Sequence, residues 1–271
     1  MMSKRRMTIL GMVFVCMLLF IAMTFSGTNA VVAQIPEVES AAEVPVLNYH
    51  KVDDMPIALS VAPQDFEEQI AYLAQHGFHS ITPKQLYRAL KKGEALPENP
   101  VLITFDDGYL DNYENAYPIL KKYGFTATFF VITDFIGKDP RFMNWDQIRQ
   151  MQQDGFIIGS HTVNHVPLTD LPPEGVMAEL TQSRDKIYAE TGQMPRYLAY
   201  PTGAYNDTVR KLVHQAGYKG AFTVRYGEVD CDSNICSLER IPIFRSQHTF
   251  RSFYMRVNGA PILKRLGIIR N

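Results

Sequence analysis

Cysteine, net charge and nucleophile motifs are all scarce in this sequence, and each shortage removes a class of function. Of the three cysteines, Cys16 lies inside an apolar N-terminal run, while Cys231 and Cys236 share a short polar stretch. Two cysteines with no histidine near them make a poor zinc site. Outside the cytoplasm a disulfide across that short loop is open to them, as is a pair of separate thiols. The 27 basic and 28 acidic residues nearly cancel, to −1, and no basic face or tail appears. Nothing therefore argues for a nucleic-acid partner. No G-x-S-x-G segment supplies a serine nucleophile elbow. Basic or glycine-rich phosphate loops, which a Mg²⁺ phosphohydrolase would need, are also missing. No composition break divides the chain after residue 43, so residues 44–271 read as one domain.

The chain does contain a leader-like segment. Lys4, Arg5 and Arg6 precede an almost wholly apolar run from Met7 to Phe25, and "SGTNA" follows with Thr28 and Ala30 at the −3 and −1 positions of a signal-peptidase site. The run is also near the roughly 18 residues that span a bilayer, so residues 1–30 are expected to be a cleaved signal peptide or a retained anchor. Cys16 follows Val15, where a lipid-modification box wants a small residue, so a lipoprotein is not expected. Cleavage would remove three of the 27 basic residues and none of the 28 acidic ones, leaving a net charge of −4. Residues 31–43 are small, polar and acidic, and suit a linker.

After the linker one pattern recurs: an amphipathic helix, a glycine with an aromatic behind it, and a β-rich run. It appears in "AYLAQHGFHSIT", "ILKKYGFTATFFVIT", "IRQMQQDGFIIGSH" and "KLVHQAGYKGAFTV". Gly77, Gly124, Gly155 and Gly217 fit the position just past a helix, where a left-handed backbone is needed. Phe66, Ile70 and Leu73 share one helical face, as do Ile148 and Met151. Pro63 and Pro172 suit first helical turns. Repeated helix–strand units imply parallel strands with helical crossovers, in a β/α barrel or an open doubly wound sheet.

In either architecture the C-terminal strand ends build the site. Four such ends carry polar groups: His50 after "PVLNY", Asp106 and Asp107 after "VLITF", His161 after "FIIGS", and the "PTG" turn after "YLAY". In "SHTVNH" the i, i+4 spacing of His161 and His165 would, in a helical turn, put two imidazoles on one face. Two histidines and one carboxylate, with room left for water, form a catalytic metal set. A cation bound by one aspartate of the Asp106–Asp107 pair would relieve their repulsion and leave the other to take a proton from water. Arg196, in "RYLAYPTG", could hold a carboxylate ionised, and the turn behind it could aim a backbone N–H at an oxyanion. The plainer alternatives are an Asp-Gly chain reversal, an incidental histidine pair and a surface arginine.

"TFDDGY", "SHTVNH" and "RYLAYPTG", in this order and at these separations, resemble the first three motifs of the polysaccharide deacetylases, carbohydrate esterase family 4. The resemblance runs from about Val44 to Ile243. It implies an α/β chain folded as a distorted (β/α)7-type barrel in a single domain, and metal-dependent removal of acetyl groups from N-acetylated sugars. It also implies Asp106 as general base, Asp107, His161 and His165 as metal ligands, and Arg196 as the arginine that orients the base. Thr202 stands where the family usually has tyrosine; its backbone N–H can still meet an oxyanion, but a ring contact with sugar is lost. The family's late general-acid histidine has no clear counterpart, since His248 sits in the wrong context, "FRSQHTF". "VPVLNYHKV" instead resembles the first strand of the subgroup acting on exopolysaccharide, where that histidine is permuted to the front. His50 is therefore the expected general acid, with His248 as fallback.

"SLERIPIFRS" resembles the same subgroup, but neither Arg240 nor Asp230 receives a role. Tyr109, Tyr113, Tyr205 and Trp145 are candidate sugar-stacking walls, Tyr109 first among them; His76, His79 and His214 read as surface residues. The resemblance implies one divalent ion, zinc first, with Co²⁺, Ni²⁺, Mn²⁺ and Fe²⁺ compatible with the same ligands. The expected substrate is extracellular poly-β-1,6-N-acetylglucosamine, with peptidoglycan, chitin oligomers or a non-catalytic carbohydrate-binding relic as alternatives. The expected protein is a monomer outside the cytoplasm, secreted or at the cell surface, touching membrane only through an uncleaved N-terminal segment.

Overall fold

The computed structural model describes residues 43–245 and 249–265. The expected leader, the linker up to residue 42 and His248 lie outside the described residues. No helix among the described residues is long and apolar enough to cross a membrane.

The strands are short and buried on both faces, as parallel strands under helices must be. β1 is Val46–Tyr49, β3 Pro100–Phe105, β4 Thr128–Val131, β5 Ile157–Ser160, β6 Tyr197–Ala199, β7 Gly220–Tyr226 and β8 Leu238–Pro242. Each pairs in parallel with the next, and β1 pairs with both β3 and β8, so seven strands close into a barrel. The two-residue β2, His79–Ser80, pairs only with the start of β3. Closure decides between the two architectures that the sequence pattern allows. Around the ring run α1 (Pro63–Gln75), α2 (Pro83–Lys92), α3 (Tyr117–Lys122), α4 (Trp145–Gln153), α5 (Pro173–Thr191), α6 (Asp207–Gln215) and α7 (Thr249–Arg265). Gly77, Gly124, Gly155 and Gly217 follow α1, α3, α4 and α6 with φ of 70°, 72°, 91° and 88°, the left-handed conformation the pattern demanded.

Side chains alternate along each strand, and the parity sorts the core. Leu47, Tyr49, Val101, Ile103, Phe105, Phe129 and Val131 point outward and pack with Phe66, Ile70, Leu120, Ile148 and Met151 of the helices. Leu198 and Ala221 do the same beneath Val176, Leu180, Val209 and Val213. Fully burying one such Leu, Ile or Phe side chain is worth about 1.5–3 kcal/mol. The inward set, Val46, Leu102, Phe130, Phe222 and Leu238, fills the barrel. Phe130 and Phe222, on non-adjacent strands, meet across it with ring centroids 5.5 Å apart. Two residues further along, the same inward positions become polar: Asn48, Thr104 and Arg240, all buried. The next inward step is Asp106 just past β3 and His50 just past β1. The barrel is therefore apolar below and polar at its C-terminal mouth.

Candidate active site

β3 carries the chain to the mouth and still hydrogen-bonds at Asp106, whose N–H donates to Tyr49 O at 3.0 Å. Asp106 is buried, and across the barrel Arg240 forks onto it: Nη1 donates to Oδ1 at 2.8 Å and Nη2 to Oδ2 at 2.6 Å. Asn48 Nδ2 adds a third donor to Oδ2 at 3.1 Å. Arg240 is itself held by Thr223 O, 2.8 Å from Nε, and by Thr104 Oγ1, 3.1 Å from Nη1. Burial alone would raise the Asp106 pKa, but the charges of Arg240 and His161 and the bonds of the fork hold the carboxyl well below its usual range.

The arginine that pairs with Asp106 is thus Arg240, not Arg196. Arg196 precedes β6, at the N-terminal end of that strand, and its side chain is exposed. The mouth that holds Asp106 lies at the other end of the strand, roughly 10 Å away at about 3.3 Å per residue.

Immediately after Asp106 the backbone reverses hand. Asp107 has φ 74° and Gly108 φ 85°. The turn needs glycine for φ, and a Cβ on Gly108 would also press on Val131 Cγ1 at 3.0 Å and Ile136 Cδ1 at 3.1 Å. Asp107 Oδ1 stands 3.4 Å from His161 Nε2 and 3.5 Å from His165 Nε2. His161 continues the β5 ladder, its N–H donating to Val131 O at 2.9 Å. Its Nδ1 lies 2.8 Å from Ala199 O. A carbonyl can only accept, so Nδ1 carries the proton and Nε2 keeps its lone pair toward Asp107. Burial lowers the pKa of His161, but Asp107 and Asp106 beside it outweigh burial and raise it; His165 is lowered by burial first and then by His161.

The two histidines do not share the expected helical turn. Residues 161–165 form an irregular loop in which Thr162 has φ 68° and His165 φ 60°. Of the five non-glycine residues with positive φ among those described, four (Asp107, Thr162, His165 and Thr202) lie at this mouth. Such residues cost about 1–3 kcal/mol each and persist where their surroundings hold them.

The Asp107, His161 and His165 donors fit a divalent ion. One atom from each lies within 4.8 Å of the other two, and ligands at about 2.0–2.2 Å in tetrahedral array stand roughly 3.4 Å apart. Among the described residues nothing donates a hydrogen bond to the buried Asp107 Oδ1, an arrangement costly for a carboxylate unless a cation meets it.

His50 closes the mouth at the end of β1, its Nδ1 buried and without a hydrogen-bond partner among the described residues. Burial lowers its pKa, Arg240 and His161 lower it further, and Asp106 and Asp107 work against that. Thr202, at the end of β6, is exposed and left-handed with φ 57°, and its Oγ1 donates to Pro201 O at 2.6 Å. Tyr109 lies beneath Lys51 Nζ, 4.3 Å from the ring centroid, and stacks on Phe142 at 4.9 Å. Tyr113 donates to Gln150 and Tyr205 stacks on Tyr200, so both have partners within the chain. Trp145 carries Lys186 Nζ 5.8 Å from its ring. Cys231 and Cys236 are both free thiols in the structure.

Residues 93–221 match the family model for polysaccharide deacetylase. The YxkH protein of Bacillus subtilis (strain 168) is 35% identical over 205 residues, covering 76% of this chain and 73% of that protein. The poly-β-1,6-N-acetyl-D-glucosamine N-deacetylase of Staphylococcus aureus (strain MSSA476) is 31% identical over 214 residues, 74% of this chain and 72% of that protein. The chain belongs to the polysaccharide deacetylase family. Among solved structures, the Streptococcus pyogenes deacetylase PplD in complex with acetate superposes with a TM-score of 0.76 at 31% identity, over 81% of this chain and 100% of that one. IcaB from Ammonifex degensii gives 0.71 at 26% identity, over 80% and 98%. The chain is accordingly a polysaccharide N-deacetylase, a hydrolase of amide bonds on an N-acetylated polysaccharide. The family match includes Asp106, Asp107, His161, His165 and Thr202 but stops short of His50 and Arg240, the two groups that other strands bring to the same mouth.

Proposed function

We propose that this polysaccharide deacetylase removes N-acetyl groups from poly-β-1,6-N-acetylglucosamine outside the cytoplasm, with one divalent ion, zinc first, held by Asp107, His161 and His165. The observation that carries the reading is the pairing at one mouth of an open Asp-His-His donor set with an adjacent carboxylate locked in its charged form by Arg240. The β-1,6 linkage is supported by the name of the Staphylococcus aureus relative and by the "VPVLNYHKV" strand that ends in His50. The location is supported by the leader-like segment before residue 31.

A divalent ion at this donor set supplies Lewis-acid polarisation of the amide carbonyl and makes the attacking water more acidic. Asp106 takes the proton that water gives up as its oxygen adds to the amide carbon. The fork of Arg240 keeps that carboxylate ionised and aimed. We assign the developing oxyanion to the backbone N–H of Thr202, whose side chain turns away to Pro201 O. His50 gives a proton to the nitrogen as the C–N bond breaks, so acetate and a free amine leave. Burial makes its imidazolium a stronger acid, which favours delivery of the proton while shrinking the charged fraction. Each proton-transfer partner is worth about 10²–10⁴-fold in rate.

Acetate release from β-1,6- and β-1,4-linked N-acetylglucosamine oligomers, with and without a chelator, tests the reading. Chelator-sensitive release, faster on the β-1,6 oligomer, is expected. Chelator-insensitive release would reject the metal, and a preference for β-1,4 oligomers would reject the substrate.

A further inference from the structure

The turn that presents both metal-binding histidines is left-handed at two of its five residues, and something must hold it. The holder stands on α5. Its buried stripe is Val176, Glu179, Leu180, Ser183 and Ile187, the i, i+3, i+4 spacing of a core-facing helix, and Glu179 is the single acid in it. Its carboxylate faces the turn. Oε2 accepts the N–H of Val163 at 2.8 Å and that of Asn164 at 3.1 Å, and Oε1 accepts Asn164 Nδ2 at 2.9 Å. Val163 and Asn164 are two of the three residues between His161 and His165. Among the described residues Glu179 has no ion-pair partner, so these three donors are what satisfies its charge.

Ser183, one helical turn later, braces the other side. Its Oγ is 2.8 Å from Ser160 Oγ, which in turn accepts the N–H of Thr162 at 3.1 Å. Both polar groups of an otherwise apolar stripe thus reach the loop that carries the ligands, and none of the expected site residues lies on α5.

We infer that Glu179 is a positioning residue: its carboxylate clamps the 161–165 turn so that two imidazoles converge on Asp107, and it thereby sets the affinity for the divalent ion. This rests on the metal reading of the proposed function. The carboxylate binds backbone N–H groups, so it fixes the path of the chain as well as one side chain. Groups that orient metal ligands from behind typically contribute 10–100-fold to affinity.

The test is the dissociation constant of Zn²⁺ for the full chain, measured by competition with a chromophoric chelator, with folding of each variant checked by circular dichroism. Glu179→Ala is expected to weaken Zn²⁺ binding about 10–100-fold. Glu179→Gln keeps an oxygen for the two backbone donors, and a flipped Asn164 amide can answer its NH₂, so most of the affinity should return. Amide exchange on the parent protein needs no variant: the Val163 and Asn164 amides should be protected although both lie in a loop. Binding by Glu179→Ala within about threefold of the parent, or fast exchange at both amides, would overturn the clamp alone. A parent protein that binds no Zn²⁺ would overturn the metal reading and the clamp together.

Discussion

Arg240 and Asp106, 134 positions apart in the chain, meet as a two-pronged ion pair across the barrel, with both side chains essentially inaccessible to solvent. A guanidinium satisfies both carboxylate oxygens at once, which an ammonium cannot. A buried pair of this kind is weak evidence for net stability, but losing one partner leaves an uncompensated charge and costs about 3–5 kcal/mol. Arg240→Ala should therefore lower unfolding stability by that order and cut acetate release about 10²–10⁴-fold, the usual worth of a general base. Arg240→Lys should keep more stability but still lose rate. Arg196→Ala should change stability by no more than about 0.5 kcal/mol and leave activity unchanged. If Arg196→Ala proved the more damaging in a urea titration and an acetate assay, the assignment would be reversed.

Much of this site was legible in the sequence, and each miss has its own physical cause. Asp106 and Asp107 directly follow the run "VLITF" and His161 directly follows "FIIGS", so a strand end could be placed without knowing the sheet, and His165 comes four residues later in the same motif. Arg240 could not be placed by motif, yet "LERIPI" carries a parity signal: Leu238 and Arg240 share one face, and Ile241 packs outward. An arginine two residues beyond a barrel-filling leucine has to find a buried anion. Asn48 shows the same signal two residues before His50. Arg196 was misjudged because its motif spans β6, and nearness in sequence to the "PTG" turn hid the strand length between them. The turn holding His161 and His165 was read as helical from spacing alone, which carries no information about φ.

The acid side of the stability curve offers a second check. The folded pKa of Asp106 lies below its unfolded value of about 3.9. The unfolded state then binds the extra proton, so the stabilisation is fully present above about pH 4 and is lost as pH falls through the folded value. The difference in unfolding free energy between the parent and Asp106→Asn should rise or hold from pH 7 to pH 5, where the Asp106 charge also favours protonated His50 and His161, and should shrink below pH 4. A difference that stays flat to pH 2.5, followed by urea unfolding, would show that Asp106 is not held ionised by its surroundings.

Gly159 lies on β5, two residues before His161, and its inward face is covered by Phe130. An added Cβ would overlap the Phe130 ring and approach Tyr197 O at 3.2 Å. Overpacking in a filled core costs about 1–3 kcal/mol, and here the displaced strand is the one that delivers His161 to the proposed metal site. Gly159→Ala should lower the melting temperature and weaken Zn²⁺ binding together. Adding Phe130→Leu should restore part of both, because residues in contact couple non-additively. Two independent losses that simply sum would argue against the steric link.

A variant at Thr202, to which the proposed oxyanion contact is assigned, tests whether the donor is backbone or side chain. Its φ of 57° is strained for a β-branched residue, and its hydroxyl is spent on Pro201 O. Glycine removes the strain but adds freedom to the unfolded chain, worth about 0.5–1 kcal/mol. The two effects oppose, so Thr202→Gly should shift stability by less than about 1 kcal/mol. Its N–H stays in place, so kcat should stay within about twofold of the parent; removing a true oxyanion donor costs about 10²–10³-fold. A drop of that size in Thr202→Gly, with melting temperature and Zn²⁺ affinity unchanged, would transfer the role from the peptide N–H to Oγ1 and make the departure from the family's tyrosine a chemical substitution.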